Sequence, residues 1–135
     1  MPPEHVQRLS RVFELMSEPE MDWEALHELI DPDIVWEVRS DFPDAGVYRG
    51  YEGLRRLSND FDDAVEQTWY RPLEFIETES HVVVPLRWGG RGKGSQTPFA
   101  EGEETWVLTL RDGRISRVTE YATKREALEA VRLSG

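Results

Sequence analysis

Two carboxylates and a set of aromatic rings are the residues of this chain best suited to chemistry. Glu120 and Glu103 fall, by strand alternation, on one face with Thr105, Val107 and Val118. A carboxylate among apolar groups loses hydration, its pKa rises, and it can then act as an acid or a base. Trp36, Tyr48, Phe61, Trp69 and Trp88 are the aromatic candidates for a binding wall. Rings with N–H and O–H handles suit an apolar ligand that carries one or two polar groups. Taken singly, each ring also suits a plain core, and Glu120 also suits an ion pair with Arg39, Arg87 or Arg117.

Other chemistries are excluded by composition and spacing. The chain has no cysteine, so thiolate catalysis and disulfides are out, and a reducing cytoplasmic setting is expected. His5, His27 and His81 stand too far apart for a metal motif. The run Gly89–Ser95 lacks the GxxxxGK[ST] spacing of a phosphate loop and lies between strands. No metal and no cofactor are expected. A net charge of −11 opposes both nucleic acid and anionic membrane surfaces. No apolar run approaches the roughly 20 residues of a membrane span, and the N-terminus shows no secretory pattern.

The elements that position these residues are read from periodicity. At 135 residues the chain makes one domain, 1–135, able to bury a core. Asp112-Gly113 predicts a type I′ turn joining two strands within 103–122. Regular pairing from that turn sets Leu110 opposite Ile115, Thr109 opposite Ser116, Val107 opposite Val118 and Thr105 opposite Glu120. Trp106, Leu108, Leu110, Ile115 and Tyr121 then share the opposite face. Upstream, helices are predicted over 4–17, from Asp22 to about Ile30, and over 51–66, with Leu54, Leu57, Phe61 and Val65 inward. Strands are predicted over 34–39, 68–78 and 81–88, and a last helix from Lys124. The order ααβαββββα indicates an α+β domain with helices against a sheet.

That order resembles the NTF2-like superfamily, in its SnoaL-like and ketosteroid-isomerase-like branches. The resemblance is carried by Asp31-Pro-Asp-Ile-Val-Trp36, Tyr48-Arg-Gly-Tyr-Glu-Gly-Leu54, Gly90-Arg-Gly-Lys-Gly-Ser95, Leu110-Arg-Asp-Gly-Arg-Ile115 and Glu126-Ala-Leu-Glu-Ala130. It implies a cone: a curved, mostly antiparallel sheet wrapped around the N-terminal helices, with a C-terminal helix and an apolar pocket. It also implies a homodimer through the outer sheet face, here the strip from Trp106 to Tyr121. On the implied concave face, Glu120 becomes the candidate acid–base. The pocket would be lined by Trp36, Val38, Tyr48, Phe61, Trp69, Trp88, Glu103, Thr105, Val107 and Val118.

The catalytic sets of the resembling enzymes are incomplete in this chain. The isomerase base position falls at Val38, and its two donors fall at Thr105 and about Val12. The Asp-Arg-Asp set of the epoxide hydrolases leaves one acid position, Glu120, and at most Arg87. The expected function is therefore binding of a small hydrophobic molecule. The alternatives are an isomerase, hydrolase or cyclase acting on a polycyclic or polyketide-like substrate through Glu120, and a protein-interaction or dimerisation module.

Overall fold

A computed structural model describes the backbone of residues 4–18, 20–41, 45–92 and 100–134, and the side chains of these except 4, 5, 59–67, 91, 92, 100, 133 and 134. Among these residues, four helices and seven strands follow one another. They are α1 (Glu4–Met16), α2 (Trp23–Leu29), β1 (Ile30–Val38), β2 (Gly46–Arg49), α3 (Gly50–Ala64), β3 (Val65–Pro72), β4 (Ile76–Glu77), β5 (Val82–Gly92), β6 (Ala100–Arg111), β7 (Arg114–Tyr121) and α4 (Lys124–Ser134). The sheet runs β2-β1-β7-β6-β5-β3, with β4 added to β5. Only β1 and β7 pair in parallel among the described strands, so the sheet is mostly antiparallel, as expected.

The helices form where periodicity and caps agree. In α1, Leu9, Val12, Phe13 and Leu15 are buried on one stripe. Asp22 caps α2 by accepting from the Ala25 N–H at 3.1 Å. Several strand boundaries depart from the sequence expectation: the strand expected over 68–78 ends at Pro72 and leaves Ile76–Glu77 as the separate β4, and the one expected over 81–88 runs on to Gly92. Strand β1 starts at Ile30, inside the segment expected to end the helix, and its pairing with β7 is irregular between Ile30 and Val35, where Pro32 has no N–H to give. The segment before Gly50 was expected as loop but forms the edge strand β2. Val65, expected inward on a helix, opens β3 instead.

The hairpin turn forms as expected, with Asp112 at φ 53° and Gly113 at φ 79°. The regular pairing expected beyond it does not hold. Leu110 pairs with Ile115, but Thr109 pairs with Arg117, so Ser116 is an extra residue on β7. Its hydroxyl donates to the Thr109 carbonyl at 3.2 Å. This bulge shifts everything beyond it by one residue. Trp106, not Thr105, lies opposite Glu120, and Leu108, not Val107, lies opposite Val118.

Each sheet face has its own core as a result. The inner face carries Trp36, Val84, Leu86, Trp106, Leu108 and Val118 against residues of α1, α2 and α3. The outer face carries Val83 and Val107, covered by Ala127, Leu128 and Val131 of α4. Trp106, Leu108 and Ile115 are thus core residues, not the exposed strip expected for dimerisation.

Candidate functional site

A cavity of roughly 100 Å³ opens between the three N-terminal helices and the inner sheet face. Its wall is largely aromatic, with Trp23, Trp36, Tyr70, Trp88 and Trp106, and among the described residues its two charged members are Glu104 and Glu120. Trp106 is the hub of the ring cluster. It stacks on Phe13 at 5.2 Å and 28°, meets Trp36 at 5.0 Å and 78°, and lies 5.6 Å from Tyr70. Alternation along β6 places Glu104, Trp106 and Leu108 on this inner face together.

The two carboxylates are tied to the same elements. Glu120 Oε2 accepts from the Trp36 indole N–H at 2.7 Å, and its Oε1 accepts from the Arg39 backbone N–H at 3.4 Å. Glu104 accepts from the Trp106 indole and from Arg39 Nη1, the latter at 3.3 Å. Arg39, just past the end of β1, also donates from Nε to Asp41 at 2.9 Å. One arginine therefore touches both acids, through its backbone and its guanidinium. The side chain of Glu104 is only 3% exposed. Its pKa is pushed up by burial, against the lowering effects of the Trp106 N–H and the Arg39 charge. Glu104 is thus the group disposed to hold a proton above the usual carboxylate range. Thr68 adds a buried hydroxyl that has no hydrogen-bond partner among the described residues.

The structure brings part of the expected pocket together. Trp36, Val38, Trp88 and Glu120 line the cavity. Val118 is buried on the same face, behind the wall. Tyr48 is buried in the core without reaching the cavity, beneath the Arg56 guanidinium. Four placements are corrected. Glu103 is on the surface beside Arg87, at 3.8 Å and 65% exposed. Thr105 and Val107 are buried on the opposite face, because the Ser116 bulge shifts the pairing. Trp69 is opposite Gly89 in the sheet, and a Cβ there would meet its ring at 2.5 Å. The side chain of Phe61 lies outside the described residues.

Arg87 points away from the cavity, toward Glu101 and Glu103, so it does not complete an acid–arginine set with Glu120. Glu104, Trp106 and Tyr70 were not anticipated. The only sequence signal for Glu104 and Trp106 was their alternation with Thr105, and it was assigned to the wrong face. Among the described residues no three His, Cys, Asp or Glu side chains are placed to hold a metal. No helix there is long and apolar enough to cross a membrane.

Known proteins of this architecture confirm the fold. The SnoaL-like domain profile matches residues 6–118. TerC, co-crystallised with polyporic acid, superposes with a TM-score of 0.76 at 18% identity, over 95% of this chain and 98% of that one. A ketosteroid-isomerase-like protein from Catenulispora acidiphila, in complex with trimethylamine, gives 0.69 at 18%, over 92% and 88%. A protein from Sinorhizobium meliloti assigned to the polyketide cyclases gives 0.66 at 25%, over 88% and 94%. No curated protein matches the chain.

Proposed function

Because this chain belongs to the SnoaL-like domain family, we propose that it binds a small, largely apolar molecule inside the cone. One observation carries the proposal: an aromatic cavity of roughly 100 Å³ in which the charged lining groups among the described residues are the two acids Glu104 and Glu120. Apolar walls with a few convergent polar groups are the usual composition of a ligand site. Two proteins of the same fold were crystallised with small molecules, polyporic acid in one and trimethylamine in the other.

The test is a thermal-shift and tryptophan-fluorescence screen, followed by calorimetry with Glu120→Gln. A binding site predicts that the substitution changes affinity by about 1.5–3 kcal/mol, the worth of one hydrogen bond to a charged group. Unchanged affinity with a lowered unfolding midpoint would make Glu120 structural.

A second reading, acid–base catalysis on a polyketide-like substrate, is favoured by the buried acid at Glu104, whose pKa burial raises. This acid stands one residue before Thr105, where the ketosteroid-isomerase resemblance had sought one. Turnover that falls by about 10²–10⁴-fold in both Glu104→Gln and Glu120→Gln, with affinity kept, is the result expected of catalysis. Self-association and a cytoplasmic setting are also proposed. The surface first considered for the dimer is core, so sedimentation at tens of micromolar tests self-association through the remaining outer face.

A further inference from the structure

The charge of the cavity wall narrows the ligand, given that the cavity is a binding site. Among the described lining residues there are two carboxylates and no lysine, arginine or histidine. Arg39 stands behind Glu104, shared between that acid and Asp41, and is not part of the wall. An anionic ligand would meet carboxylate oxygens with no cation in the wall to offset them. The indole N–H groups of Trp36 and Trp106 already donate to Glu120 and Glu104, which leaves hydroxyls such as that of Thr68 as the wall's neutral donors.

What the wall offers an occupant is electron-rich. Tyr70 and Trp88 line it and are half-buried. The face of such a ring carries the negative part of its quadrupole and attracts a cation. Steeply inclined rings, such as Trp36 and Trp106 at 78° or Tyr70 and Trp106 at 52°, surround an occupant from several directions. Volume sets the size: roughly 100 Å³ is less than the ~150 Å³ that accepts benzene in an engineered apolar cavity. The enclosed part therefore takes a compact head group, no larger than a trimethylammonium or a single small ring, and a polycyclic skeleton would have to remain in the mouth.

We infer that the cavity selects an organic cation, a small alkylammonium head group held against the Tyr70 and Trp88 rings and balanced by the Glu120 carboxylate. This rests on the proposal that the cavity binds ligand at all, and a matched pair of probes separates the two. Choline and 3,3-dimethylbutan-1-ol have the same branched shape, and only choline is charged. Titration followed by tryptophan fluorescence and calorimetry should show choline binding at least about tenfold tighter, the scale of one desolvated cation–π contact. Glu120→Gln should weaken choline by about tenfold and leave the alcohol unchanged. Trp88→Leu should also weaken choline more than the alcohol, and it serves if Glu120→Gln does not fold. Equal or tighter binding of the alcohol would overturn the cation inference and leave the cavity proposal standing. No response to either probe at about 10 mM, well above an ordinary millimolar site, would overturn the cation inference, and a silent screen besides would overturn both.

Discussion

Two arginine–carboxylate clusters sit at opposite ends of β1, and each joins that strand to the β6–β7 hairpin. At one end Asp31 meets Arg111, beside the hairpin turn, at 2.9 Å, with Asp33 further out at 3.6 Å. At the other end Arg39 meets Glu104 at 3.3 Å, with Glu120 against its backbone. The two acids are driven in opposite directions. Asp31 is held below its ordinary value, first by the Asp33 backbone N–H and then by Arg111, which outweigh its partial burial. Glu104 is raised because burial outweighs the Trp106 N–H and Arg39. Pairing with arginine does not by itself decide the state of a carboxyl. The balance of hydrogen bonds against burial does: both acids are buried, but at Asp31 the Asp33 backbone N–H leads and at Glu104 desolvation leads. The Asp31 cluster ties the sheet together, and the Glu104 cluster lines a cavity.

Removing the arginine from each end should separate the two most sharply. Arg39→Met keeps the aliphatic stem but leaves Glu104 buried without its guanidinium. Breaking a buried pair in this way should cost about 3 kcal/mol at neutral pH, as read from denaturant midpoints. The deficit should shrink in acid, because Glu104 can then take up a proton and no unpaired charge stays buried. A deficit that does not change with pH would show that Arg39 acts through packing alone.

The next effect is a pH slope of opposite sign at the two ends. Glu104 binds its proton more tightly folded than unfolded, so its contribution to stability falls as pH rises from the ordinary glutamate range through its raised value. Glu104→Gln should remove that fall. Asp31 binds its proton more weakly when folded, so its stabilisation is present above the ordinary aspartate range and is lost as pH drops through its lowered value. Asp31→Asn should remove this acid loss. Matching slopes in the two variants would erase the distinction between the clusters. Arg111→Met should move the neutral-pH midpoint less than Arg39→Met does, since the Arg111 side of the pair is screened by water and Asp31 keeps the Asp33 backbone N–H.

Much of the architecture was legible because helix periodicity, caps and the Asp-Gly turn are local signals. The stripe of Leu9, Val12 and Phe13, the Asp22 cap and the Asp112-Gly113 turn all formed where residue chemistry placed them. Strand β2 and the early start of β1 were not legible, since pairing across the sheet made them and their own sequence carries weak alternation. The site was half legible. Trp36, Val38, Trp88 and Glu120 reach the cavity, but Glu103, Thr105 and Val107 do not. A period of two makes face assignment unforgiving: one extra residue exchanges the faces of every side chain after it. Glu120 was assigned to the inner face correctly, while the strand opposite was assigned with its faces reversed.

The bulge that caused this reversal lies between the two clusters, and its smallest perturbation gives the last prediction. Beyond the turn that carries Arg111, Ser116 is the extra residue, and from Arg117 onward β7 is displaced so that Glu120 lies opposite Trp106. The hydroxyl of Ser116 makes one hydrogen bond, to the Thr109 carbonyl at 3.2 Å. The pairing itself is held by burial on both faces, by Val118 and Trp106 inside and by Val107 beneath α4 outside. Ser116→Ala should therefore cost about 1 kcal/mol or less, one ordinary hydrogen bond, and should leave the register intact. Tryptophan emission should be unchanged, because the Trp36 and Trp106 indoles keep their carboxylate acceptors. A shift in emission, with loss of probe binding in the cavity, would mean that the hydroxyl selects the register, and that the inner position of Glu120 depends on one serine rather than on the two cores.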